Sequence, residues 1–270
     1  MIAFWKTLIA PLLEARAARV IVEVGVLGGD TTVKLLEYAE AHDCVVHAID
    51  PAPAAPTFIA DLQQRFGQHF VFHQEKSLEA LPKIDEPHAV LIDGDHNWYT
   101  VVNELRVLAA AAEQRSQPFP LTFLHDIGWP YGRRDSYYDP DAIPPEYRQP
   151  FRKAGLVPGM TELSQTSGIN LGANNALIEG TDRNGVLTAV EDFLTDTDLA
   201  LVFKTVAGYN GLGIIVTQEQ LDSSDRLRAA LAELESPAWL AHHCTRLEES
   251  RIHHLAEASA LGRELRARKR

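Results

Sequence analysis

The sequence predicts an α/β fold, Rossmann-like, in which a mostly parallel sheet carries helices on both faces. Three observations carry the prediction. Short apolar runs of strand length alternate with amphipathic stretches of helical period as far as Ile127. Each apolar run ends in a turn rich in Gly, Asp or Pro. Of the 270 residues 46% are hydrophobic, enough to bury a full core, so one large domain with an appendage is expected rather than two equal domains.

The elements follow in order. Ile2, Trp5, Leu8, Ile9, Leu12 and Leu13 recur at helical spacing and predict a packing helix. The segment has no basic start, and Pro11 breaks its apolar run from Thr7 to Leu13, which argues against a secretory leader. Strands are expected at residues 20–26, 45–50, 70–73, 89–93 and 121–125, with helices at 31–41, 57–66, near Leu78, and at 99–112. The rhythm then breaks. Residues 128–184 hold many Pro, Gly, Tyr and Arg with little periodicity, the signature of a long ordered insertion serving as a lid or substrate-binding element. Alternation resumes with a helix at 186–194 and strands at 200–205 and 213–217, close enough to pair antiparallel through the GYNG turn at 208–211. From Leu221 the chain reads as helical and ends in a basic tail, RELRARKR, expected to be a solvated end. The expected division is a domain over 1–218 containing the insertion, and a helical extension over 219–270.

Bulk charge narrows the partners. A formal net charge of -12 disfavours a nucleic-acid surface and points to a small substrate or a protein partner. Cys44 and Cys244 show no paired spacing, so a reducing cytoplasmic setting is expected and neither a disulfide framework nor a thiolate metal site is suggested. No stretch is long and apolar enough to span a bilayer.

In an open parallel sheet, ligands bind beyond the carboxyl ends of the strands, so the turns there are where chemistry is expected. The first strand runs into VEVGVLGGDTT, where Gly25, Gly28 and Gly29 allow close approach of backbone to a ligand and Asp30 or Thr31 can cap the next helix. The spacing is not G-x-G-x-x-G, which weakens a dinucleotide reading. VVHAIDP places Asp50 at the end of the second strand, at the separation where an acid meets ribose hydroxyls in nucleotide-binding folds. Glu23, Asp50 and Asp93 around one cleft would repel a pyrophosphate and suit a cationic ligand bearing a ribose. S-adenosylmethionine has that chemistry. The plainer reading makes Asp50 the start of a turn with Pro51.

LIDGDHNWY ends the fourth strand and crowds Asp93, Asp95 and His96 at one turn. Asp95 can cap the helix beginning near Asn97 while His96 covers its first turn, and an acid/base or metal role is compatible with that.

Taken in order, VEVGVLGGDTT, HAIDP, LIDGDHNWY and LHDIGWPYG resemble a class I S-adenosylmethionine-dependent methyltransferase. More narrowly, they resemble the group of catechol-type, macrolide-sugar and cephalosporin-cluster enzymes with a DGDH or DGSH segment. The resemblance covers residues 18–127. It implies a seven-stranded sheet with a reversed last hairpin. By that resemblance Glu23, Gly25 and Gly29, with Thr31 in the same turn, cradle the methionine part. Asp50 takes the ribose, Ser77 and Leu78 contact adenine, and Asp93 borders the cofactor. Asp93, His125 and Asp126 then hold a divalent metal, magnesium or manganese, and His96 acts as general base. His125 stands where such enzymes often carry a carboxylate. Magnesium prefers oxygen, so the substitution favours manganese or another transition ion, or leaves His125 outside the ligand set.

From the insertion, Trp129, Tyr131, Tyr137 and Tyr138 could form an aromatic wall, and Arg133 and Arg134 could meet an anionic part of the substrate. The alternative of equal weight has the aromatics packing on their own scaffold and the arginines pairing with Asp135 or Asp139. Asn174 and Asn175 are weaker candidates for the pocket. The expected activity is transfer of a methyl group from S-adenosylmethionine to a hydroxyl of a small molecule, a sugar or natural-product scaffold, assisted by a divalent metal. An NAD-linked oxidoreductase and a non-catalytic cofactor-binding module, with the C-terminal helices used for assembly, are the alternatives. The expected partner is a small hydroxylated molecule; a homodimer is compatible with the sequence.

Overall fold

The computed structural model describes residues 1–53 and 56–268, so Lys269 and Arg270 of the basic tail lie outside the described residues. The chain divides into two compact units, Met1–Leu227 and Arg228–Arg270. The second unit is dominated by one long helix, Pro237–Arg268.

Within the first unit, β1 (Val20–Val24), β2 (Val45–Ile49), β3 (Phe70–His73), β4 (Ala89–Ile92) and β5 (Leu121–His125) pair in parallel. The insertion contributes β6 (Ser136–Tyr137), β7 (Phe151–Lys153) and β8 (Asn174–Ala176). After it come β9 (Leu201–Val206) and β10 (Leu212–Thr217), an antiparallel hairpin whose second strand pairs antiparallel with β5. The seven-stranded sheet has the order β3-β2-β1-β4-β5-β10-β9. This is the predicted mostly parallel sheet with a reversed last hairpin. Its central strands carry β-branched and other apolar side chains buried on both faces, as a doubly covered sheet requires.

Three strands, β1, β2 and β4, end one or two residues before their predicted ends, and at β1 the reason locates the site. Gly25 leaves β1 at φ +90° and donates its N–H to the Ile49 carbonyl at 2.9 Å, so the chain turns away after Val24. Strand order reverses between β1 and β4, and the turns after these two strands open the crevice that such sheets use for ligands.

Besides the short helices α1 (Ala10–Arg16) and α4 (Ser77–Ala80), four longer helices cover the sheet: α2 (Asp30–His42), α3 (Pro56–Phe66), α5 (Trp98–Gln114) and α6 (Val186–Asp196). The N-terminal segment is helical throughout Ile2 to Arg16 in 3-10, π and α turns, and Trp5, Leu8, Ile9, Leu12 and Leu13 are buried as their spacing predicts. Ile2 departs from that pattern: it is exposed and faces the crevice.

The insertion is an ordered unit around the small antiparallel sheet β6-β8-β7. Asp135 pins it. This fully buried carboxylate accepts the Trp98 N–H at 2.8 Å, the Gly185 N–H at 2.6 Å and the Tyr137 hydroxyl at 2.8 Å. The insertion is thereby tied to the starts of α5 and α6. Arg134 is buried beside it and donates to the carbonyls of Ala176 and Thr161, both at 2.6 Å, with Glu179 at 3.0 Å. Arg134→Met removes the charge and leaves two carbonyls and Glu179 unmatched, so it is expected to cost about 3 kcal/mol by denaturant unfolding. Arg133→Met breaks an exposed pair with Glu191 and is expected to cost under about 1 kcal/mol in the same measurement.

Candidate active site

A cavity of about 900 Å³ opens at the carboxyl ends of β1, β4 and β5. One side is the turn Gly25 to Gly29 with Asp30 and Thr31 at the start of α2. Its floor is Asp93, His96, His125 and Asp126; the insertion supplies Tyr131, Ser136, Tyr137, Tyr138, Lys153 and the 170–174 loop.

The floor is two carboxylates meshed with two imidazoles. His125 Nδ1 lies 3.1 Å from Asp93 Oδ1 and 2.9 Å from Asp126 Oδ2. His96 Nε2 lies 3.1 Å from Asp126 Oδ2 and 3.6 Å from Asp93 Oδ1. The Met1 amine reaches the other Asp93 oxygen at 3.1 Å. Tyr131 stacks parallel on the His96 ring, with centroids 5.1 Å apart, and fixes its plane. Asp126 itself sits at φ +60°, a left-handed position that turns its carboxylate back toward both rings.

Charge in this cluster is strongly coupled. Burial alone would lower His96, but the carboxylates of Asp126 and Asp93 beside it outweigh burial and push the imidazole up to about 10. His125 is driven up to about 9 by the same contest between burial and the two acids. Against burial, which would raise them, hydrogen bonds from His125 and His96 hold Asp93 and Asp126 well below the usual carboxylate range. The two carboxylates beside His96 therefore favour the protonated form of its ring.

Two more acids lie beneath the site. Burial raises Glu23 to about 8, with repulsion from Asp93 and Asp50 adding to it. Glu104, fully buried on α5 with neither carboxyl oxygen hydrogen-bonded among the described residues, is likewise raised to about 8 by burial. A carboxyl raised in the folded state holds its proton where the unfolded chain has lost it, so stability falls as pH rises from about 4.5 to about 8. Glu104→Gln keeps the shape without the charge and is expected to gain on the order of 3 kcal/mol at pH 8 relative to pH 5 by thermal or denaturant unfolding.

Residues 22–127 match a family model described as a methyltransferase domain. Over those residues the chain resembles a methyltransferase domain. The match spans β1 through β5 and so includes the glycine turn, Asp50, the DGDH turn and the His125-Asp126 pair. No curated protein sequence matches the chain. Among solved structures it is similar to the methyltransferase PaMTH1 of Podospora anserina bound to SAH, with TM-score 0.46, 12% identity and 77% of this chain covering 76% of that one. A putative caffeoyl-CoA O-methyltransferase from Staphylococcus aureus gives TM-score 0.45 at 11% identity, over 77% of this chain and 80% of that one. TomG from Streptomyces achromogenes, an O-methyltransferase of tomaymycin synthesis in complex with SAM, gives 0.44 at 15%, over 77% of each chain.

The structure brings Gly25, Gly29, Thr31, Asp93, His96, His125, Asp126, Tyr131 and Tyr138 to one cavity, and leaves other predicted residues outside it. Asp50 spends its oxygens on the glycine turn, accepting from the N–H groups of Val26 at 3.0 Å and Leu27 at 3.2 Å, and from Ala52 at 2.8 Å. Glu23 is sealed beneath that turn, and Ser77 and Leu78 do not line the cavity. Trp129 is exposed away from the cavity lining. Arg133 forks onto Glu191 and Arg134 is locked to Glu179, so both arginines serve the scaffold, with partners other than Asp135 and Asp139. The cap of α5 is Asn97, whose Oδ1 accepts the Thr100 N–H at 2.8 Å. Asp95 instead takes the Thr100 hydroxyl and the Tyr138 N–H, both at 3.3 Å, which joins the DGDH turn to the insertion. No pattern in the sequence singled out Ser136, Lys153, Asn170 or Asn210 as lining residues; Asn174 does line the cavity, while Asn175 is buried and accepts from the Tyr131 hydroxyl.

Proposed function

We propose that this methyltransferase moves a methyl group from S-adenosylmethionine to a hydroxyl of a small acceptor lodged between the DGDH turn and the insertion. The observation that carries the reading is the Asp93–His96–His125–Asp126 cluster on the floor of a cavity whose opposite side is the glycine turn. The cofactor fits that turn: a Cβ on Gly28 would meet nothing within 4 Å, and the acids Asp30 and Asp93 suit a cationic ligand. When bound, the cofactor supplies an electrophilic methyl carbon on a positively charged sulfur.

Transfer forms an oxygen–carbon bond as the sulfur–carbon bond breaks, and the hydroxyl proton must leave. Ring stacking by Tyr131 and the carboxylates on either side orient His96 toward that proton. With both carboxylates beside it the His96 ring favours its protonated form, which is a poor acceptor for that proton. One ligand atom each from Asp93, His125 and Asp126 lies within 4.8 Å of the others, so these three residues would hold a divalent cation. Bound there, the cation would lower the hydroxyl's pKa as a Lewis acid and offset the carboxylate charge that keeps His96 protonated. The mixed oxygen and nitrogen donors suit manganese or a related ion better than magnesium. Tyr131, Ser136 and Tyr138 line the acceptor side and help exclude water. Both cysteines are free thiols, in keeping with a reducing cytoplasm.

Titration calorimetry with S-adenosylmethionine tests the cofactor, and no heat of binding at high micromolar cofactor would remove the reading. Turnover with and without manganese across pH tests the base. The metal-free protein is expected to need alkaline pH, near the raised value of His96, and manganese is expected to move the rise in rate down by about two units. Profiles that coincide would take the metal out of the mechanism.

A further inference from the structure

The insertion contains six cationic side chains, Arg133, Arg134, Arg148, Arg152, Lys153 and Arg183. Five are committed to their own scaffold. Arg133 is paired with Glu191 at 2.5 Å, Arg134 with Glu179 at 3.0 Å and Arg148 with Asp141 at 3.3 Å. Arg152 donates to the Leu163 carbonyl at 3.2 Å, and Arg183 lies 5.4 Å over each of the rings of Trp98 and Tyr147. Lys153 has no hydrogen-bonded or ionic partner among the described residues, and it lines the cavity. Alternation along β7 puts Lys153 on the face of Phe151, whose ring meets Tyr137, another lining residue, edge-on at 5.5 Å. Across the small sheet Lys153 is paired with Asn174, and the amides of Asn170 and Asn174 line the same wall.

The cavity is thus polarised. Acids from the sheet turns, Asp30, Asp93 and Asp126, line it beside the glycine turn, while the one uncommitted ammonium comes from the insertion. Resting on the methyltransferase reading above, we propose that Lys153 is an anion subsite and that the acceptor is a hydroxylated carboxylic acid. A single ammonium matches a single carboxylate, whereas a doubly charged phosphate would carry one charge more than Lys153 offsets. Held by Lys153, the acid end of the acceptor leaves its hydroxyl to approach the Asp93–His96–Asp126 floor. The role foreseen for Arg133 and Arg134 passes to a residue of the same segment that keeps its charge free.

The test compares matched pairs, 3,4-dihydroxybenzoate with its primary amide and glucuronate with glucuronamide, using the full chain with S-adenosylmethionine and manganese and following release of the demethylated cofactor. In at least one pair the acid is expected to be favoured in kcat/KM by roughly tenfold, with the difference in KM. Lys153→Met is expected to erase that preference, while Lys153→Arg keeps it and Arg133→Met leaves it untouched. Calorimetric affinity for S-adenosylmethionine should be the same in all of these variants. Equal use of acids and amides, a preference that survives Lys153→Met, or no reaction of either acid while the cofactor binds would each overturn the subsite and leave the methyltransferase standing. Failure of the wild-type chain to bind the cofactor would remove both.

Discussion

Asp126→Asn is expected to lower kcat by about 10²- to 10⁴-fold while changing affinity for S-adenosylmethionine by less than about threefold. Asparagine is nearly isosteric with aspartate and tolerates the left-handed backbone at φ +60°, so the turn after β5 is expected to survive. What goes is the charge whose oxygen lies 3.1 Å from His96 and 2.9 Å from His125. Both rings then lose one of the two anions that raise them, and the candidate cation loses an anionic ligand. Stability offers a second readout that does not require turnover. An imidazole raised in the folded state stabilises fully below its unfolded value of about 6.5, and the gain is lost as pH rises through the folded value. For His125 and His96 that window runs from about 6.5 to between about 9 and about 10. Metal-free wild type is therefore expected to lose stability across that window, and Asp126→Asn to show a flatter profile. Unchanged turnover in the variant would remove the cluster from the chemistry.

The sheet was legible because its strands are buried on both faces: VIVEV, AVLI and LTFLH stand out as short apolar runs closed by Gly or Asp. The turns beyond them were legible for the same reason, since a polar cluster at the end of a buried strand has few purely structural explanations. The insertion was not. Its strands SY, FRK and NNA are too short to show a period, and what holds them is Asp135 bonding backbone groups 37 and 50 residues away in sequence. An arginine doublet looks alike whether it meets a ligand or a scaffold acid, and Glu179 and Glu191 lie too far along the chain to be recognised as partners. Asp95 and Asn97 are both good helix caps, and their sequence alone does not choose between them. The state of His96 was hidden for a further reason: it depends on Asp126, brought beside it from another strand. Local sequence records what a segment buries, whereas charge at the site is a sum over segments.

Gly25→Ala is the substitution expected to do most damage to cofactor binding. A Cβ at Gly25 would lie 2.2 Å from the Asp93 carbonyl oxygen and 2.8 Å from Gly94 Cα, and φ is +90°. The obstructing atoms are backbone, so relief requires β1 and β4 to part at the point where they present the glycine turn and the DGDH turn. A loss of about 3 kcal/mol or more in stability is expected from the strain and the displaced packing, together with loss of measurable S-adenosylmethionine binding. Loss of binding in an unstable variant would say little by itself, and Gly28→Ala separates the two effects. A Cβ at Gly28 meets nothing within 4 Å and its backbone is not left-handed, so the variant is expected to fold with wild-type stability. Gly28 lines the cavity, and a methyl group there occupies space open to a ligand. If the cofactor lies against this turn, Gly28→Ala binds it at least about tenfold more weakly in calorimetry while unfolding at the wild-type midpoint. Wild-type affinity in Gly28→Ala would move the cofactor away from the glycine turn, and the acids of the cavity floor would then need a different cationic ligand.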